Sequence, residues 1–101
     1  MRLLPVADSH EAIHLAQIGH FGLYILDNWL GGMSGVELCT RLREFDTATP
    51  ILFFSGVAYE LDKQKALACG AQAYLVKPAS PDTLVAEVRK LITAKGQGAG
   101  Q

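Results

Sequence analysis

The sequence predicts an α/β domain in which a parallel β-sheet carries helices on both faces. Short, continuous apolar runs of strand length alternate with longer segments of helical period. Such runs are typical of parallel strands that are covered on both faces. No internal repeat or linker interrupts this alternation, so we expect one domain over residues 1–95 and a disordered tail over residues 96–101.

The helices are predicted from their capping residues. The first two begin at a side chain that can cap a helix, with a glutamate three residues later, and the last has Pro81 at its first position. Glycines mark two of the helix ends. The predicted helices begin after Asp8, Ser34, about Tyr59 and Ser80, and the first and third end at Gly19 and Gly70.

Four apolar runs are predicted to be strands: residues 3–7, 23–26, 51–54 and 73–76. Pro5 lacks an amide hydrogen, which confines the first run to an edge of the sheet. The order of strands and helices therefore predicts parallel strands joined by helical crossovers.

The composition argues against binding to nucleic acid or to membranes. The formal net charge is -1, and no apolar stretch approaches the length that spans a bilayer. Cys39 and Cys69 lie in apolar helical segments, where buried free thiols are expected rather than a disulfide. We therefore expect a soluble, cytoplasmic protein.

Three of the predicted strands end in a polar side chain: Asp27, Ser55 and Lys77. Because sites in open α/β sheets form beyond the carboxyl ends of the strands, these three side chains are expected to converge. A carboxylate can attack a phosphoryl group, a hydroxyl can donate to its oxygens, and an ammonium can neutralise its charge. This pattern favours phosphoryl transfer.

The segments that carry these residues resemble the receiver domains of bacterial response regulators. Residues 24–35 resemble the phosphoacceptor segment, residues 51–56 resemble the strand that ends in a switch hydroxyl, and residues 70–78 resemble the strand that ends in lysine and proline. The resemblance extends from about Leu3 to Ile92 and implies a flavodoxin-like fold.

The resemblance also implies roles for individual residues. Asp27 would be the phosphoacceptor, Ser55 and Lys77 would bind the phosphoryl group, and Tyr74 would be the aromatic switch that turns inward on activation. The Lys77–Pro78 peptide bond would be cis. The domain would be a signalling protein rather than an enzyme, and a sensor histidine kinase or a phosphotransfer protein would be its partner in a two-component phosphorelay.

Magnesium is the cofactor that the resemblance implies, and here the sequence departs from the family. The spacing from Asp8 to Asp27 matches that between the family's second strand and its phosphoacceptor, so the first strand and first helix are expected to be missing. The acidic pair on that strand would then be absent, leaving Asp27, the backbone carbonyl of Trp29 and, as a candidate, Asp8 as ligands. Gly31 replaces the usual proline.

Three consequences of this departure stay open at the level of sequence. The strand before Asp27 could expose an edge that pairs with a second copy, giving a homodimer or a strand-exchanged assembly. The segment before Asp8 could shift inward and bring Asp8 towards Asp27. The sequence could also be a fragment of a longer protein.

Two alternative functions remain. In the first, the domain is a pseudo-receiver that accepts no phosphoryl group and serves as a binding or dimerisation module. In the second, His10, Glu11 and His14 form the H-E-x-x-H pattern of a zinc hydrolase. That pattern lacks an evident third ligand, because His20 follows the end of the predicted helix.

Overall fold

A computed structural model of the chain describes residues 8–19, 21–30 and 32–99. In chain order the elements are α1 (Ser9–Ile18), β1 (Tyr24–Leu26), β2 (Trp29–Leu30), β3 (Met33–Ser34), α2 (Gly35–Arg43), β4 (Ile51–Ser55), α3 (Glu60–Ala68), β5 (Ala73–Val76) and α4 (Pro81–Ala99). No helix in this part of the chain is long and apolar enough to cross a membrane.

The central sheet is parallel and has the strand order β1–β4–β5. Tyr24 is in register with Ile51, and Phe53 is in register with Tyr74. This order corresponds to one end of the 2-1-3-4-5 order of flavodoxin-like sheets, with β1 as the terminal strand within the described residues. The strand predicted at residues 3–7, including Pro5, lies outside the described residues.

One face of the sheet holds the main hydrophobic core. Ile51 and Phe53 of β4 are fully buried there against side chains of α1, α2 and α3, among them Leu38 and Ala66. Alternation along a strand points Leu52 to the other face, where it too is fully buried. Since Val88 of α4 is buried outside the main core, we assign α4 to this second face.

Local side-chain chemistry sets the starts of three helices as predicted. The Asp8 carboxylate accepts hydrogen bonds from the amides of His10 and Glu11 at the start of α1. The Ser34 hydroxyl accepts from the amide of Glu37 at 3.1 Å, and the Ser80 hydroxyl accepts from the amide of Thr83 at 3.1 Å. Each bond satisfies a backbone amide that the first turn leaves without a partner.

The structure adds one pair of short strands to the predicted elements. The short hairpin of β2 and β3 was not predicted, because two-residue strands show no alternation of apolar and polar side chains. The last helix, α4, is Pro81–Ala99, and the domain boundary expected at residue 95 stays a prediction.

Both cysteines are free thiols, as expected, and Cys39 is completely buried whereas Cys69 is partly exposed. Burial raises the pKa of the Cys39 thiol to about 12, and the neighbouring Cys69 acts in the same direction. A thiol with so high a pKa is a packing group rather than a nucleophile.

Candidate functional site

The carboxyl ends of the three parallel strands bring Asp27 and Lys77 together. Asp27 directly follows β1, Ser55 is the last residue of β4, and Lys77 directly follows β5. The Lys77 ammonium donates to Asp27 Oδ2 at 2.9 Å, although 50 residues separate them in sequence. The parallel register of the sheet therefore creates this pair, as the pattern of strand ends predicts.

The ion pair between Asp27 and Lys77 lies at the surface. The Lys77 and Asp27 side chains are 43% and 37% exposed, so solvent screens their attraction and the pair adds little to the stability of the fold. Lys77 Nζ also lies 5.2 Å from the centre of the Phe54 ring, a cation–π distance that helps to hold the ammonium in place.

The Asp27 carboxylate is held in its ionised form. Partial burial raises its pKa, but hydrogen bonds from the Lys77 ammonium, the Asn28 amide and the Ser55 hydroxyl outweigh burial. The pKa of Asp27 therefore lies below its ordinary value, and the group is an anion at neutral pH. Only this form can act as a nucleophile.

The backbone around Asp27 is packed tightly by the turn that contains β2 and β3. The Asn28 amide donates to Asp27 Oδ1 at 2.6 Å, and the Gly35 amide donates to the Asn28 carbonyl at 2.8 Å. A Cβ atom on Gly35 would overlap the Asp27 carbonyl oxygen and lie 2.8 Å from the Phe53 ring. Only glycine lets α2 begin this close to Asp27.

Tyr74 lies in the sheet with its hydroxyl directed to the neighbouring loops. Its ring stacks on Phe53 with centroids 5.8 Å apart and packs against the main core. Its hydroxyl lies 2.7 Å from the Val57 carbonyl oxygen and 3.2 Å from Asn28 Oδ1. The Val57 amide in turn donates to the Ser55 hydroxyl at 3.2 Å. Tyr74 thus contacts the segments that follow both Asp27 and Ser55.

The predicted metal ligands are incomplete in the described residues. Within residues 8–19, 21–30 and 32–99, no group of three His, Cys, Asp or Glu side chains could hold a metal ion. Asp8 is exposed and caps α1, and the backbone of Trp29 belongs to β2. Gly31 lies outside the described residues.

The zinc-hydrolase alternative gains no support from this part of the chain. His10, Glu11 and His14 are all exposed on α1. None of them belongs to a group of three possible metal-binding side chains among the described residues. His20, the remaining histidine, lies outside the described residues.

Comparison with known proteins agrees with this architecture. The family model for the response regulator receiver domain matches residues 1–89. The chain belongs to the receiver domain family of response regulators. It is similar to the transcriptional regulatory protein YvrH of Bacillus subtilis, with 39% identity over 87 residues, which are 86% of this chain and 36% of that protein. The chain therefore spans 36% of the length of this relative.

Solved structures show the same receiver fold. The chemotaxis protein CheY4 of Vibrio cholerae is 33% identical and gives a TM-score of 0.75, over 85% of this chain and 73% of that one. A CheY-like receiver domain protein from Methanospirillum hungatei gives a TM-score of 0.84 over 89% of this chain and 72% of that one, and its 22% identity shows the fold alone. The fold is flavodoxin-like, as predicted, and the Lys77–Pro78 bond is cis.

Sequence reasoning missed three contributors to the site: Asn28, Gly35 and the Val57 carbonyl. Gly35 carried a usable signal, because a glycine at the first position of a helix is a poor helix former and indicates a close backbone approach. The contact between Asn28 and Tyr74 joins residues 46 positions apart, and only the three-dimensional arrangement reveals it.

Proposed function

We propose that this receiver domain accepts a phosphoryl group on Asp27 in a two-component phosphorelay. The observation that carries the proposal is the partly exposed Asp27 carboxylate, ionised and 2.9 Å from the Lys77 ammonium at the carboxyl edge of the sheet. A carboxylate oxygen would attack the phosphorus atom of a phosphohistidine or of a small acyl phosphate. A P–O bond to Asp27 would form while the bond to the imidazole nitrogen or to acetate breaks.

The neighbouring side chains have separate roles in this proposal. Lys77 neutralises the additional negative charge of the aspartyl phosphate, because its ammonium already contacts Asp27. The Ser55 hydroxyl, at the end of the adjacent strand, donates to a phosphoryl oxygen. Tyr74 is the aromatic switch residue, and its half-buried ring with a hydroxyl shared between two loops suits that role.

Magnesium fits this donor set as a weakly held ion. Mg²⁺ is commonly bound through one or two carboxylates together with the phosphates of the substrate and several waters. Asp27 and the backbone carbonyl of Trp29 would hold it, and Asp8 is a further candidate because both of its capping hydrogen bonds go to the same carboxylate oxygen, Oδ1. The bound ion would supply positive charge to the phosphoryl oxygens during transfer.

The proposal includes partners and a location. A sensor histidine kinase or a phosphotransfer protein would donate the phosphoryl group, and the exchange would take place in the cytoplasm. The net charge of -1 gives the domain no excess of basic side chains for binding DNA. The domain itself would therefore signal through protein contacts rather than through nucleic acid.

The first experiment is phosphorylation with acetyl phosphate and magnesium, followed by intact mass. We expect the parent to gain one phosphoryl group that hydroxylamine removes, as an acyl phosphate requires, and Asp27→Asn to gain none. Fluorescence of Trp29, the only tryptophan, provides a second readout during titration with magnesium and then beryllofluoride. The expected change saturates and requires both magnesium and Asp27.

Asp82→Asn is the matched control, because Asp82 is an exposed carboxylate in the first turn of α4. This variant should be phosphorylated like the parent. If the folded parent gains no phosphoryl group from acetyl phosphate or from a kinase, and shows no beryllofluoride response, the phosphoacceptor proposal is wrong.

One observation favours the alternative of a phosphorylation-incompetent pseudo-receiver. The described residues provide a single carboxylate beside Lys77 and no group of three metal-binding side chains. Without enough counter-charge the transfer would be slow. In that case the domain would act as a binding or dimerisation module, and its oligomeric state would not depend on phosphorylation.

A further inference from the structure

Asn28 contacts both Asp27 and Tyr74 through different parts of the same residue. Its backbone amide donates to Asp27 Oδ1 at 2.6 Å. Its side-chain Oδ1 lies 3.2 Å from the Tyr74 hydroxyl. Asn28 is therefore a direct bridge between the candidate phosphoacceptor and the candidate switch residue.

The Tyr74 hydroxyl has a single proton and two neighbouring acceptors. The Val57 carbonyl oxygen is the closer acceptor at 2.7 Å, and Asn28 Oδ1 is the more distant one at 3.2 Å. Rotation of the Asn28 amide by half a turn would present its NH₂ group to the hydroxyl oxygen instead, and both bonds would then be satisfied. The Tyr74 hydroxyl therefore has two hydrogen-bonding arrangements, and the orientation of the Asn28 side chain determines which one forms.

Asp27 influences how Asn28 is held. The bond from the Asn28 amide to the ionised carboxylate is charge-assisted and short, so it weakens when the carboxylate loses its charge or forms a bond to phosphorus. The Gly35 amide anchors the Asn28 carbonyl at 2.8 Å. A change at Asp27 would therefore rotate the Asp27–Asn28 peptide group while the Asn28 carbonyl stays anchored, and this would move the Asn28 side chain relative to Tyr74.

We infer that Asn28 is a positioning residue that couples the state of the Asp27 carboxylate to the hydroxyl of Tyr74. Where that change of state is phosphorylation, the role rests on the function proposed above. The coupling itself requires only that the charge of Asp27 changes. It is also separate from the route through Ser55, whose hydroxyl accepts from the Val57 amide at 3.2 Å.

The test measures the coupling by a double-mutant cycle with a spectroscopic signal from Tyr74. The three tyrosines are replaced biosynthetically by 3-fluorotyrosine, and Tyr74→Phe identifies the ¹⁹F resonance of Tyr74. Asp27→Asn removes the carboxylate charge while keeping its shape. We expect Asp27→Asn to shift the Tyr74 resonance in the parent, and most of that shift to disappear in the Asn28→Ala background.

Two further backgrounds separate positioning from a general loss of structure. Asn28→Asp keeps an acceptor oxygen and the backbone amide, so it should retain the shift that Asn28→Ala loses. Ser55→Ala removes the other route and should also retain it. The resonance of Tyr24 on β1 reports on folding, because the Tyr24 hydroxyl donates a hydrogen bond to Asp46 at 2.8 Å. Asn28→Leu, which has a similar volume, replaces Asn28→Ala if the latter fails to fold.

The inference is overturned if Asp27→Asn shifts the Tyr74 resonance equally with and without the Asn28 side chain, or does not shift it in the parent. Its failure is distinguishable from failure of the proposed function. If the parent does not respond to beryllofluoride with magnesium, the proposed phosphorylation is contradicted. If the Asp27→Asn shift of the Tyr74 resonance is nevertheless lost in the Asn28→Ala background, the positioning role of Asn28 is retained.

Discussion

At the scale of single residues, Gly35 limits how the site can change. It is the first residue of α2, and its missing side chain leaves room for the Asp27 carbonyl and the Phe53 ring. Alanine would favour an isolated helix by about 1 kcal/mol. Here the added methyl group would meet backbone and a buried ring, neither of which can move without disturbing β1 or β4.

We therefore predict that Gly35→Ala destabilises the fold by about 3 kcal/mol or more, as overpacking of a rigid site does. Urea unfolding followed by circular dichroism measures this loss. Gly22→Ala is the matched control, because a Cβ at Gly22 meets no atom within 4 Å, and we expect a change within about 0.5 kcal/mol. Equal effects of the two substitutions would contradict the packing argument.

Some residues of the site could be predicted from the sequence because the pattern that indicates them lies within one segment, and others could not. Asp27, Ser55 and Lys77 could be predicted because each follows or ends an apolar run. The helix caps Asp8, Ser34 and Ser80 could be predicted because a capping side chain bonds to backbone amides in the first turn of its own helix. The Asn28–Tyr74 contact depends on the path of the β2–β3 hairpin and on the register of β5. No pattern within a single segment encodes either of these. The residues at the strand ends could therefore be predicted from the sequence, and the Asn28–Tyr74 contact could not.

At the scale of elements, Asp46 in the loop after α2 bonds to β1 and to the segment that leads into β4. Its carboxylate accepts from the Thr49 and Tyr24 hydroxyls at 2.6 and 2.8 Å and from the amides of Thr49 and Ala48 at 3.0 and 3.1 Å. Partial burial raises the pKa of Asp46, but these hydrogen bonds outweigh it and lower the pKa far below its ordinary value. Burial, and then Asp46 itself, raise the pKa of Tyr24 to about 12.

These shifts predict how the stability depends on pH. Because the folded-state pKa of Asp46 lies below the unfolded value of about 4, its contribution is complete above that pH and is lost as the pH falls through the folded-state pKa. We expect Asp46→Asn to lower the free energy of unfolding by about 1–2 kcal/mol at neutral pH. Below pH of about 4, the difference between variant and parent should shrink.

Urea unfolding of parent and variant at several pH values tests this dependence. Asp82→Asn removes an exposed carboxylate from the first turn of α4 and should have a small effect at every pH. A difference between Asp46→Asn and the parent that stays constant down to the acid transition would show that the carboxylate network is not the cause.

At the scale of the whole molecule, the described sheet ends at β1. The Tyr24 amide donates to the Pro50 carbonyl at 2.9 Å, so Tyr24 directs its backbone groups to β4. In a parallel pair successive residues alternate, and Ile25 therefore directs its amide and carbonyl to the other edge. The Ile25 side chain is also 38% exposed. Within the described residues no strand pairs with this edge.

An edge of this kind can add a strand from a second copy, so we propose that the protein forms a homodimer or a strand-exchanged assembly through β1. Light scattering coupled to size exclusion should give the mass of a dimer, with a dependence on concentration. Ile25→Pro removes the outward amide without touching the bond between Tyr24 and Pro50, and it should give a monomer.

Ile18→Ser is the matched control, since Ile18 is an apolar side chain of α1, not of β1, and is 67% exposed. If apolar exposure in general drove association, Ile18→Ser would weaken the dimer as much as Ile25→Pro. If the edge of β1 drives it, only Ile25→Pro changes the mass. A parent that is monomeric at high concentration would contradict the assembly through β1. Phosphorylation of Asp27 would then have to occur in the monomer.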